Sequence, residues 1–314
     1  MNASSLGCPN CGQVGFRPAG QTVTLRKNLL DWEVQGALLF PEAVWQDYET
    51  CLDEDIVLHR CPTCEFRQFL PPRAGTGSFY AAITGEGASY YTQDRWEFRK
   101  AVSSIAASGA RTVLDAGCGG GAFLRQLTAS GAYEAYGFDF NPEAEAELAA
   151  SGLKSLRSMD DMAVPGGFDA VTCMQVLEHL DEPWAFGELL RKQLRPGGLL
   201  ILSTPDADGP IRHFTNSVTD LPPHHVSRWN AKSMEAFGQK FGFSLLRIRR
   251  EPLARYIWRF YLPVMIRNSR LPGLVKHQLL KSNRVERFLE ALERRGISEL
   301  PPLPGHTLYA EFRG

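Results

Sequence analysis

Between residues 110 and 250 the chain alternates two patterns. Short apolar runs bounded by turns read as strands at Arg111–Asp115, Ala135–Asp139, Phe168–Cys173 and Leu199–Ser203. Stretches with helical spacing separate them at Ala122–Ser130, Pro142–Ser151 and Pro183–Leu194. Strands alternating with helices imply βαβ units on a parallel sheet. Right-handed crossovers then build a doubly wound sheet. The predicted fold class is α/β and Rossmann-like, with a mostly parallel sheet.

The flanks differ from this core. Residues 1–75 carry two cysteine pairs around an apolar and aromatic insert that includes Leu29, Leu30, Trp32, Phe40, Trp45 and Tyr48. Residues 76–109 form a linker rich in glycine and tyrosine, then a covering helix. That helix is expected from Asp94, a candidate N-cap, to Ala107, with Gly109 stopping it. Residues 251–314 read as a basic helical segment inserted before a last sheet strand at Thr307–Phe312.

Composition narrows the class. The 314 residues carry a formal net charge of -1, so no global field favours nucleic acid or a membrane. No charged segment followed by an apolar one opens the chain, and no apolar run is long enough to span a bilayer. Cytoplasmic residence is the default expectation. Seven cysteines is an odd number, which argues against a closed disulfide framework and, in a reducing compartment, for metal.

Cys8-Pro9-Asn10-Cys11 and Cys61-Pro62-Thr63-Cys64 each form a C-x-x-C turn that can aim two thiolates at one ion. Four thiolates in a tetrahedron make a closed, structural Zn²⁺ site with no open position for catalysis. Two unrelated turns, or a redox pair, are the plainer alternatives. The gap between the pairs is long for a compact zinc ribbon, so a small helical excursion is expected there. Cys51 reads as a small buried hydrophobe.

Val113-Leu114-Asp115-Ala116-Gly117-Cys118-Gly119-Gly120-Gly121 is a strand entering a glycine turn before a helix. Glycine is required where φ is positive and where a ligand nears the main chain. Gly117, Gly119 and Ala122 also satisfy the dinucleotide pattern, so NAD(P) competes as a ligand. Asp139, ending the second strand, can accept from ribose hydroxyls of either cofactor.

The later segments carry a resemblance. Asp115-Ala116-Gly117-Cys118-Gly119 resembles motif I of the class I S-adenosylmethionine-dependent methyltransferases, and Gly137-Phe138-Asp139 their motif II. Phe168–Val171 leading to Val176-Leu177-Glu178-His179-Leu180 resembles the motif IV region of the ubiquinone-biosynthesis-like group. Leu194–Leu200 resembles the turn before that group's fifth strand. These motifs occur in the family's order, from 110 to about 250. The resemblance implies S-adenosylmethionine as cofactor, with Asp115, Gly117 and Gly119 in its turn and Asp139 on its ribose. It also implies Met159 against the adenine ring and Asp160, or Asp161, on the adenine amino group. Met174 and Gln175 then face the methionine end and the substrate. The N-terminal cysteine pairs resemble those of zinc-ribbon methyltransferases that modify sugars, surface glycans or small metabolites. A ribosomal-RNA guanine methyltransferase family also carries such a ribbon.

Methyl transfer to oxygen or carbon asks for a positioned base, and histidine is matched to neutral pH. His224 and His225, in Leu221–Trp229, are the candidates, with helix capping as the alternative. His179 is a rival read as structural. Glu178 with His179 could bind metal but lacks further ligands in sequence. Tyr90 and Tyr91 are candidates for closing the site or touching the substrate. The arginine- and aromatic-rich segment 249–297 could meet anionic lipid or RNA, or be a solvated helix face. The expected function is methylation, at oxygen, of a small-molecule or glycan acceptor. An RNA methyltransferase and a non-catalytic binding module are the alternatives. Elemental analysis of protein purified without chelator is expected to give one zinc per chain; a zinc-free preparation would overturn the ribbon.

Overall fold

A computed structural model describes residues 6–36, 38–84, 95–281 and 283–314. The strands, in chain order, are β1 (Arg17–Val23), β2 (Ile56–Arg60), β3 (Arg67–Leu70), β4 (Thr112–Ala116), β5 (Glu134–Phe138), β6 (Lys154–Ser155), β7 (Phe168–Met174), β8 (Leu194–Pro205), β9 (Ser227–Arg228), β10 (Ser244–Ala254) and β11 (Glu299–Arg313). They make a four-stranded sheet, β1-β2-β3-β9, and a seven-stranded sheet, β10-β11-β8-β7-β4-β5-β6. In the larger sheet β8, β7, β4, β5 and β6 run parallel. β11 lies antiparallel between β8 and β10.

Strand parity explains why the central runs are apolar throughout. Leu114, Val171, Cys173, Leu200, Leu202, Leu308 and Phe312 face one layer of helices, including Phe186, Leu190 and Phe237. Val113, Ala170, Leu199, Ile201 and Tyr309 face the other, against Trp96, Ala101, Ile105 and Phe123. Side chains alternate between faces, and both faces are covered. This is the expected α/β architecture. The covering helix is observed at Trp96–Ser108 and ends on Gly109 in the left-handed region, as its sequence implied. The proposed cap Asp94 and the candidates Tyr90 and Tyr91 lie outside the described residues. β6 and β10 were not foreseen. One is two residues long, and the other is an exposed, arginine-bearing edge strand.

The segment between the cysteine pairs folds as two helices, Leu25–Gly36 and Glu42–Asp47, flanked by β1 and β2. Leu25, Leu29, Trp32, Phe40, Val44 and Tyr48 bury against Phe69, Phe79, Val218 and Leu221. Cys51 is half-buried beside this cluster. The basic segment forms helices Arg255–Asn268, Gly273–Leu280 and Arg284–Arg294, held around Trp258, Tyr261, Leu262 and Leu289. Arg259 pairs with Glu286 at 2.7 Å and Arg255 with Glu293 at 3.5 Å. Among the described residues no helix is long and apolar enough to cross a membrane.

The helix Ala231–Lys240 starts in a capping box. The Asn230 side chain accepts from the Ser233 N–H at 3.0 Å, and the Ser233 hydroxyl accepts from the Asn230 N–H at 2.8 Å. Its Gly238 lets the helix sit on β11: a Cβ there would stand 2.2 Å from the buried Phe312 ring. Gly238→Ala is expected to destabilise the fold by about 1–3 kcal/mol, read as a lower urea midpoint. An unchanged midpoint would mean the ring yields without strain.

Candidate active site

Strand order fixes where a ligand can sit. From β4 the chain winds outward through β5 and β6, then returns to β7 and β8 on the opposite side. The crevice beyond the carboxyl ends of β4 and β7 is therefore the switch point. A cavity of about 740 Å³ opens there, lined by Asp115, Gly117–Gly120, Met174, Gln175, Glu178, His179, Thr219, His224, His225, Tyr256, His306 and Thr307, among others.

The glycine turn is sterically committed. Gly117, Gly119 and Gly121 have φ of 87°, 49° and 77°. A Cβ on Gly117 would lie 2.3 Å from Val176 Cγ2. Asp115 is buried and accepts a 2.6 Å hydrogen bond from the Thr172 hydroxyl; burial raises its pKa to about 7. Asp139 accepts from the Gly119 N–H at 2.7 Å and from the Asn141 N–H at 2.9 Å. Gln175, directly after β7, has φ of 58°, a costly conformation outside glycine.

A second part of the lining is a histidine corner. His179 sits on a single 3₁₀ turn, Leu177–His179, rather than on a helix. Its ring centroid is 4.7 Å from that of His224 and 4.8 Å from that of His225; the last two stack at 4.4 Å. Burial lowers the pKa of His179 and of His224 to about 3 and drives that of His225 well down. All three are neutral at neutral pH. Glu178, 1% exposed, has neither carboxylate oxygen hydrogen-bonded among the described residues. Burial raises its pKa to about 8.

The two cysteine turns meet away from this cavity. The sulfurs of Cys8 and Cys64 are 3.7 Å apart, and those of Cys11 and Cys61 3.6 Å. A tetrahedron with Zn–S bonds of about 2.3 Å has edges of roughly 3.8 Å, so the four thiols fit a zinc ion. The hydrogen bond from Cys8 pulls the Cys64 thiol down to about 5. A further cavity of about 430 Å³ lies against the smaller sheet, with Arg17, Arg60, Arg67, Arg212 and Arg228 in its lining.

The structure thus brings Asp115, Gly117, Gly119, Met174, Gln175, His224 and His225 to one cavity, and Cys8, Cys11, Cys61 and Cys64 to one cluster. Asp139 stands behind the turn it braces. Met159 is buried in the core, and Asp160 is exposed with Lys192 at 3.4 Å. None of these three lines the cavity. His179, read as structural, joins the corner. His306, Thr307, Thr219 and Tyr256 went unnoticed, and no local pattern marks them, since only the tertiary fold brings them to the crevice.

Sheet order, glycine turn and switch-point cavity define a class I S-adenosylmethionine-dependent methyltransferase. A family profile described as a methyltransferase domain matches residues 64–248, over half of the chain, and the chain belongs to that family. A ubiquinone biosynthesis O-methyltransferase of Xanthomonas campestris pv. campestris is 40% identical over 109 residues, covering 32% of this chain and 45% of that protein. Its counterpart in Xanthomonas oryzae pv. oryzae is 41% identical over 106 residues, covering 31% and 44%. The chain therefore spans less than half the length of these curated relatives. Among solved structures, magnesium protoporphyrin IX methyltransferase of Synechocystis with bound S-adenosylhomocysteine is similar at 16% identity and TM-score 0.46, covering 74% of this chain and 92% of that one.

Gly117→Ala is expected to weaken S-adenosylhomocysteine binding about tenfold or more, since 1–3 kcal/mol of overpacking falls on the turn itself. Calorimetry beside an unfolding control checks this; wild-type affinity would show that the turn does not hold the ligand.

Proposed function

We propose that this protein transfers the methyl group of S-adenosylmethionine to an oxygen of a small-molecule or glycan-type acceptor. The supporting observation is one cavity that joins the glycine turn and the Met174–Gln175 strand end to the histidine corner. Asp115, Gly117 and Gly119 would hold the methionine end. Asp139 would exchange its grip on the Gly119 N–H for the ribose hydroxyls. Met159 and Asp160 would take the adenine, outside the cavity proper. The four cysteines would hold a structural zinc ion.

When bound, the cofactor supplies a sulfonium methyl with a good leaving group, so the protein's main task is alignment. Met174 and Gln175 orient the acceptor, and burial excludes water. His224 or His225 receives the acceptor's proton as oxygen attacks. Both are neutral, the form that accepts a proton, yet a pKa as low as that of His224 makes an isolated imidazole a weak base. The arginine-lined cavity suits an anionic handle on the acceptor. RNA or lipid contact through the C-terminal helices has less support, because Arg255 and Arg259 face Glu293 and Glu286.

Calorimetric titration with S-adenosylhomocysteine, with NAD as control, tests the cofactor. Wild type is expected to bind S-adenosylhomocysteine and not NAD, and Asp139→Ala to bind it at least tenfold more weakly. Folded, zinc-loaded protein that binds neither would remove the reading.

A further inference from the structure

We propose that the arginine-lined cavity against the smaller sheet binds a phosphate or diphosphate ester, and that the methyl acceptor carries this group. Placing the ester on the acceptor rests on the methyltransferase reading; binding of the anion does not.

Strand register lays the site out. Arg17 on β1 stands opposite Arg60 on β2, Arg60 opposite Arg67 on β3, and Arg67 opposite Arg228 on β9. Directly opposite residues share one face of a sheet, so four arginines form a row that crosses every strand of this one. Neighbouring strands lie about 4.8 Å apart. Like charges in directly opposite positions are destabilising. The row therefore costs the folded chain stability unless anions lie along it. Arg212 adds a fifth guanidinium to the lining.

The chain's own acids offset this charge only in part. Asp220 is the single carboxylate in the lining, and it pairs with Arg228 at 2.8 Å. Glu65 lies 3.4 Å from Arg60 but is shared with Lys232 at 2.8 Å. Asp208 approaches Arg67 only to 3.5 Å. Arg17 and Arg212 have no carboxylate partner among the described residues. The Arg67 side chain is 20% exposed. Burial lowers its pKa, Asp208 opposes the fall, and the charges of Arg60 and Arg228 add to it. An anion beside Arg67 would relieve all of these like-charge contacts at once.

The charge and shape select the ligand class. One carboxylate is answered by one guanidinium fork. Five guanidiniums against Asp220 alone call for several negative charges and oxygens facing several ways, which a phosphate or diphosphate supplies. The volume of about 430 Å³ lies in the range of small-ligand sites, roughly 300–1,000 Å³. Leu58, Pro62 and Ile211 give the organic part of an ester an apolar wall. Arg67 and Arg228 are recessed, with 20% and 12% of their side chains exposed, which suits a compact group better than a polynucleotide backbone.

The position suits the acceptor. A narrow gap lies between this cavity and the larger one. It shares Ala207, Ile211, Asp220 and Arg228 with the first, and Glu178 and His225 with the second. The Asp220 carboxylate joins the two sides, with Arg228 at 2.8 Å and Nδ1 of His225 at 3.4 Å. An ester held by the arginine row is thus anchored beside the histidine corner.

The test is calorimetric titration of the full-length, zinc-loaded protein with inorganic pyrophosphate at low salt. One equivalent is expected to bind, and to bind equally well when S-adenosylhomocysteine saturates the protein. Arg17→Gln and Arg67→Gln are each expected to weaken binding at least tenfold. Arg270→Gln, exposed and outside the lining, is expected to leave it unchanged. Should Arg67→Gln fail to fold, Arg17→Gln decides, because Arg17 is exposed and holds no ion pair among the described residues. No binding by wild type, or equal losses in all three variants, overturns the site. A single-stranded RNA that binds more tightly than pyrophosphate and loses affinity in Arg17→Gln replaces the ester with nucleic acid and overturns it too. Displacement of pyrophosphate by S-adenosylhomocysteine overturns its place on the acceptor. Pyrophosphate uptake by protein that does not bind S-adenosylhomocysteine sinks the cofactor reading and leaves the anion site standing.

Discussion

The cavity depends on a two-residue strand. Arg67 and Gln68 of β3 pair with Arg228 and Ser227 of β9, and the Phe69 N–H donates to the Val226 carbonyl at 2.9 Å. This short ladder fastens the histidine loop to the N-terminal sheet. Around it, Phe66 packs on Trp229 at 4.7 Å, Asn28 donates to the Pro222 carbonyl at 2.6 Å, and Asn10 donates to the Ser233 carbonyl at 2.9 Å. The cysteine-bearing segment is thus part of the wall behind His224 and His225. Loss of its internal order would release the loop that carries them.

Charge in the cavity follows a single rule. Burial pushes Glu97 and Asp115 up to about 7 and Glu178 up to about 8. It brings His179 and His224 down to about 3 and His306 to about 4. Acids and bases alike move toward their neutral forms. These buried acids and histidines therefore contribute little charge to the lining, which also holds Arg95, Arg125 and Glu147.

The sequence made some of this legible and hid the rest for definable reasons. Central strands were readable because both faces of Thr112–Ala116, Phe168–Met174 and the middle of β8 are covered, which leaves runs such as Val113-Leu114 and Leu199–Leu202 continuously apolar. β10 escaped because an edge strand with Arg247, Arg249 and Arg250 has the polarity of a surface helix. Gly109 and Pro183 marked helix ends because backbone geometry demands those residue types there. The histidine corner was visible only in fragments. His224 and His225 were legible as a motif, but His179 lies 45 residues earlier, and nothing local states that a turn after β7 meets a loop after β8. His306 arrives from later still. Convergence of this kind is a property of strand order, and strand order was foreseen only as a class.

β11 has a consequence for how the molecule is made. It is the last strand in sequence, yet it lies inside the sheet, with β8 on one side and β10 on the other. Until residues 299–313 emerge from the ribosome, β8 has an unpaired edge carrying Leu200 and Leu202, and β10 has no neighbour among the described strands. An open, apolar strand edge is a template for pairing with another chain. The sheet therefore stays incomplete from the synthesis of β8 until that of β11, and the closing contacts span long stretches of sequence, which makes them slow to form. Correct folding then depends on how well that edge is shielded until β11 has been made.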